Sequence, residues 1–133
     1  MRFLTDAECN DRIKSLQRPL PEVGEGLRFL HYDQRSRIAS FAAIVARNVC
    51  FCQPALLWVI ESEVWTPNWH LYYRLRQSYS DHRLMSEAPG HLFLGHESAD
   101  LETFLELTMV GGWDAYLLTE AGTWMRGSPT TST

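Results

Sequence analysis

Basic residues, long apolar runs and cysteines are all scarce in this sequence, and each shortage excludes something. Twelve Lys and Arg stand against sixteen Asp and Glu, for a net charge of −4. That balance lacks the basic footprint with which nucleic-acid binders neutralise phosphates, so nucleic acid is not an expected partner. The longest apolar run, Pro54 to Ile60, falls far short of the roughly 20 residues of a membrane span. Residues Met1 to Asp6 lack the apolar stretch of a secretory signal. The cysteines are Cys9, Cys50 and Cys52. An odd number excludes a complete internal disulfide framework, and free thiols in a reducing cytoplasm are the expectation.

Catalytic signatures are missing as well. There is no G-x-S-x-G elbow, no P-loop and no G-x-G-x-x-G. Cys50-x-Cys52 has no second cysteine pair to complete a zinc site, and it follows the apolar face of a helix, as buried structural thiols do. His96-Glu-Ser-Ala-Asp100 begins like the H-E-x-x-H zinc helix, but Asp100 stands where the second His must be. Ser98 there reads as a helix N-cap, with Glu97 and Asp100 as acids favoured by the helix dipole. No metal and no cofactor are expected. The histidines, His31, His70, His82, His91 and His96, are scattered. A catalytic set assembled in space around His91, His96 and Asp114 is the enzyme alternative.

What is present suits one globular domain over residues 1–126, followed by a polar, disordered tail over 127–133. The 133 residues include five Trp, five Tyr and six Phe, ample bulk for a core. Thr5 and Glu8 form a T-x-x-E capping box, and Leu4 and Cys9 occupy the positions of a hydrophobic staple. A helix therefore starts at Thr5, with Cys9, Ile13 and Leu16 on one face. A strand over 27–32 follows, then a helix carrying Ile38, Phe41, Ala42, Val45 and Val49 at helical spacing. Ala55 to Ile60 reads as a strand covered on both faces. A helix near 68–79 would turn Leu71, Tyr72, Leu75 and Tyr79 inward. His91 to Leu94 is a short strand. Ser98 opens a helix with Leu101, Phe104, Leu105 and Thr108 inward. Gly111-Gly112 stops it, and strands follow at 113–119 and 123–126. Alternating strands and helices predict an α/β fold: one sheet of four to five strands, partly parallel, with about four helices. An α+β arrangement is the alternative.

Several stretches resemble a family of small bacterial proteins. They are A-L-L-W-V-I-E-S-E-V-W-T-P-N-W-H-L-Y-Y-R-L-R over Ala55 to Arg76, E-A-P-G-H-L-F-L over Glu87 to Leu94, D-L-E-T-F-L over Asp100 to Leu105 and G-W-D-A-Y-L-L over Gly112 to Leu118. The family pattern is a strand ending in a W-P-S-x-E-N-like turn, an L-R helix, A-P-G-H-L-F, and a helix leading to G-W-D. The likeness spans about residues 27–119. This chain departs from it at Trp65-Thr-Pro-Asn68 and lacks an S-H-D-like ending. The resemblance implies a bacterial protein encoded beside secreted toxins and acting as an immunity or accessory partner.

The functional expectation is a non-enzymatic module that binds a protein toxin and occludes its active site. On the third helix the outward stripe would be His70, Tyr73, Arg74 and Gln77, flanked by Trp69 and Arg76. Tyr, Trp and Arg are the residue types that most often anchor interfaces. Glu102 and Glu106, one turn apart, would offer an acidic patch to a basic toxin. A structural, homo-oligomeric subunit is the remaining alternative.

Overall fold

The computed structural model describes residues 1–16, 35–49, 54–62, 69–111, 113–119 and 124–127. Its elements are β1 (Arg2–Leu4), α1 (Asp6–Leu16), α2 (Arg35–Val49), β2 (Ala55–Glu61), α3 (Trp69–Ser78), β3 (Gly90–Phe93), α4 (Ser98–Gly111), β4 (Asp114–Thr119) and β5 (Trp124–Gly127). The strand expected at 27–32 and residues 128–133 lie outside the described residues, as do Cys50 and Cys52. Gly127 pairs with Ala115. The last strand thus takes in the residue at which the polar tail was expected to begin.

The strands form one five-stranded sheet in the order β1-β3-β2-β4-β5. Every pairing is antiparallel. This corrects the expectation of partly parallel pairing. The helical crossovers do bring strands back in the same direction, β1 with β2 and β3 with β4. Each such pair is split, however, by one strand running the other way. β3 sits between β1 and β2, and β2 sits between β3 and β4. The alternation of strand and helix carries no information about which strand fills the gap.

Side chains alternate cleanly across this sheet. Phe3, His91, Leu57 and Leu117 form one row across β1, β3, β2 and β4. Their face packs against Ala42, Val45 and Ala46 of α2, Tyr72 of α3, and Leu101, Phe104, Leu105 and Met109 of α4. The next row is Leu4, Gly90, Trp58 and Tyr116. It points the other way, where Cys9 and Ile13 of α1 cover Leu4, Leu56, Trp58 and Leu92. β2 is therefore buried on both sides, as its unbroken apolar sequence requires.

α1 starts where the capping box places it. The Thr5 amide donates to Glu8 Oε1 at 3.0 Å, and the Glu8 amide donates to Thr5 Oγ1 at 3.2 Å. This fixes Cys9 directly over Gly90. A Cβ at residue 90 would meet Cys9 Sγ at 2.3 Å and Leu4 Cβ at 3.0 Å. Glycine is needed here for close approach of the helix to the sheet. Burial, helped by the carboxylates of Asp6 and Glu8, pushes the Cys9 thiol up to about 12, so it is a packed, protonated group. Gly90→Ala is expected to cost about 1–3 kcal/mol by overpacking. Adding Cys9→Ala should recover a good part of that loss. Urea denaturation of the two single variants and the double variant measures the coupling. Strictly additive losses would contradict the contact.

Candidate functional site

The chemically interesting residues collect on two sides of α3. Its inner side carries a buried polar chain. Arg76 is fully buried. Its guanidinium donates to the Tyr72 hydroxyl at 2.7 Å and to the Ala88 carbonyl at 2.8 Å, lies 3.4 Å from Asp81 Oδ1, and sits 4.4 Å above the centre of the Phe3 ring. His91, also fully buried, has Nδ1 3.0 Å from the Leu57 carbonyl and Nε2 2.6 Å from the Tyr72 hydroxyl. A carbonyl only accepts, so Nδ1 carries the proton and Nε2 accepts from Tyr72. The direction of donation is then fixed throughout: Arg76 to Tyr72, Tyr72 to His91, His91 to Leu57.

The turn after α3 completes this arrangement. Ser80 takes a left-handed conformation, φ 63°. The Asp81 amide then reaches back to the Arg76 carbonyl at 3.3 Å, and the Ser80 amide to Gln77 at 2.8 Å. Asp81 is left facing both Arg76 and Arg83, with Arg83 2.6 Å from Oδ2. Partial burial opposes the Asp81 charge, but the Arg83 hydrogen bonds and the nearby Arg76 hold its carboxyl below the usual range. Arg83 also donates to the Phe3 carbonyl at 3.0 Å, which ties edge strand β1 to the same cluster.

Burial pulls His91 down to about 4, with the Arg76 charge adding to it and the Leu57 hydrogen bond opposing it. The groups around the ring are Tyr72 and Arg76 from α3, Asp81 from the following turn, Phe3 from β1 and Phe104 from α4. Because the folded value is depressed below the ordinary 6.5, the unfolded chain binds more protons between the two values. The contribution is complete above about pH 6.5 and is lost as pH falls towards about 4. On the order of 3 kcal/mol should disappear across that window. Urea titrations at several pH values check this, and His91→Gln should flatten the slope. A parental slope in that variant would assign the proton uptake elsewhere.

The outer side of α3 is phased differently from expectation. His70, Arg74 and Gln77 are exposed, as expected. Leu71, expected inside, is 40% exposed, and Arg76, expected on the flank, is buried. Trp69 and Tyr73 are half-buried against the core. Trp69 stacks on Trp113 at 5.3 Å and on Tyr73 at 5.6 Å. The Tyr73 hydroxyl accepts the Met85 amide at 3.0 Å. Tyr73 is thus a packing residue, not a free anchor, and truncating it would disturb the fold. The physical reason is that the aromatic trio Trp69, Tyr72 and Trp113 sets the helix rotation. Arg76 can be buried because its donors are satisfied. The exposed surface therefore runs from Leu71 across Arg74, His70 and Gln77 to the Tyr73–Met85 contact, beside which Leu84 is 54% exposed.

Glu102 and Glu106 are half-exposed on α4. Glu102 lines a shallow groove of about 270 Å³ with Arg47, Ala43, Ala46, Ser98 and Ala99. The alternative catalytic set does not converge. His96 follows β3 beyond Phe93, which pairs with Ala55 at one end of β2, whereas Asp114 pairs with Glu61 at the other end. Six residues of strand separate those ends by roughly 20 Å. His91 lies between them, sealed inside. Among the described residues no group of three or more His, Cys, Asp and Glu is gathered as metal ligands would be, and no helix is long and apolar enough to cross a membrane. No family model matches the chain, and no curated protein and no solved structure matches it.

Proposed function

We propose that this chain is a non-enzymatic protein-binding module of the immunity type, cytoplasmic and bacterial. It neutralises a cognate toxin by covering the toxin's active site with the outer face of α3. The observation that carries the reading is the division of labour across this one helix. Its inner polar groups are consumed in a closed hydrogen-bonded chain, and its outer face presents Leu71, His70, Arg74 and Gln77 on a backbone held from behind by Arg76. A rigid element that presents Arg74, a residue type that often anchors interfaces, beside the exposed Leu71 loses little entropy on binding. The likeness to the toxin-associated family supports the same reading. A catalytic role for His91 is disfavoured, because both of its ring nitrogens are engaged within the core.

The test is affinity capture from the source bacterium, followed by calorimetry with the recovered protein. Leu71→Ser and Arg74→Glu should keep the parental circular dichroism and melt within a few degrees of the parent, because Arg74 is exposed and Leu71 lies outside the buried core. Arg74→Glu should weaken binding by at least about 2 kcal/mol, and Leu71→Ser by about 1 kcal/mol. Glu102→Gln and Glu106→Gln should change the association rate and its salt dependence more than the affinity. Parental affinity in both α3 variants would remove this face from the interface.

A further inference from the structure

A second recognition feature lies beside α1. A groove of about 280 Å³ opens between the start of α1, the end of β2 and the loop that precedes β3. Its floor is apolar: Val59 and Met85 are each 4% exposed, and Pro89 is buried. Asp6, Ser86 and the half-exposed Ile60 form the rim. The Asp6 carboxylate is held in place by the Trp58 indole, which donates to Oδ1 at 2.9 Å. Among the described residues Asp6 forms no ion pair. An oriented carboxylate therefore stands at the mouth of an apolar slot, with no ion-paired cation among the described residues.

We propose that this groove receives a Lys or Arg side chain of the partner protein, a step that rests on the protein-binding reading above. The methylene stem would lie along Val59, Met85 and Pro89, and the charged head would meet Asp6 at the rim, as amphipathic basic side chains arrange themselves. The hydrogen bonds of such a pair are charge-assisted. A groove of about 280 Å³ has room for one such side chain. Met85 of the groove floor also donates its amide to Tyr73 of α3, which ties the groove wall to that helix.

The probes are two blocked tripeptides, acetyl-Ala-Arg-Ala-amide and acetyl-Ala-Glu-Ala-amide, titrated into methyl-labelled protein at low salt. The Arg peptide should shift the Ile60 and Met85 methyl signals saturably, and the Glu peptide should not. Asp6→Asn keeps an acceptor for the Trp58 indole and should weaken the Arg peptide about fivefold, as loss of one exposed charge pair does. Ser86→Arg, which supplies the groove with its own cation, should abolish the shifts. Equal shifts with both peptides, or parental affinity in Asp6→Asn, would overturn the assignment. If α3 variants weaken partner binding while the Arg peptide moves neither methyl, the groove is refuted and the docking reading survives. If the peptide saturates while α3 variants bind normally, the docking face is refuted and the groove stands.

Discussion

Arg76→Met should lower the unfolding free energy by about 3–5 kcal/mol, the cost of removing one partner from a buried charged pair. The side chain is fully buried, so methionine fills much of the space and the loss is chiefly electrostatic. Three groups would lose a partner. The Ala88 carbonyl and the Tyr72 hydroxyl each lose a short donor, and Asp81 is left with Arg83. Arg76→Lys should also destabilise, by roughly 2 kcal/mol, because an ammonium cannot fork towards Tyr72, Ala88 and Asp81 at once. Thermal and urea denaturation read both numbers. A methionine variant as stable as the parent would show that the network contributes nothing net to the fold.

Trp113→Ala should be comparably damaging, at about 3–5 kcal/mol. Trp113 is 1% exposed and sits where α4 ends and β4 begins. Its amide donates to the Thr108 carbonyl at 3.0 Å, closing the end of α4. Its ring stacks on Trp69 and meets Tyr72 edge-on at 5.5 Å. The cavity left by alanine would open beneath α3, so this variant should also loosen the proposed docking face. Melting within a degree or two of the parent would contradict the packing described.

Much of the core could be read from the sequence because it obeys periodicity. The Thr5–Glu8 capping box, the two-sided burial of β2 and the inner positions Leu101, Phe104, Leu105 and Thr108 of α4 all follow from local pattern. β1 could not be read, since three residues show no alternation and its placement depends on pairing with β3, far along the chain. Strand order escaped for the same reason. The rotation of α3 is not legible in the sequence, because periodicity counts a charged residue as exposed and an aliphatic one as inner, whereas Arg76 is buried and Leu71 is 40% exposed. The four-residue spacing of Tyr72 and Arg76 is a local hint of contact. The other partners, Ala88 and His91, lie on distant segments. The turn at Ser80 carries no glycine to announce its left-handed backbone. Each residue of the A-P-G-H run makes a defined contact: the Ala88 carbonyl accepts from Arg76, the Pro89 carbonyl accepts the Val59 amide, Gly90 admits Cys9, and His91 joins Tyr72 to Leu57. Each of these four residues thus has a structural role in joining β3 to its neighbours.

On the function proposed above, the polar residues inside this fold hold it together and binding falls to its surface. The most direct measurement is the nitrogen-15 spectrum of the His91 imidazole between pH 7 and pH 4. The ring should be neutral with its proton on Nδ1, unchanged until the pH approaches about 4. A ring protonated on Nε2, or one that titrates near its ordinary 6.5, would contradict the closed chain from Arg76 to Leu57 and reopen His91 as a group available for chemistry.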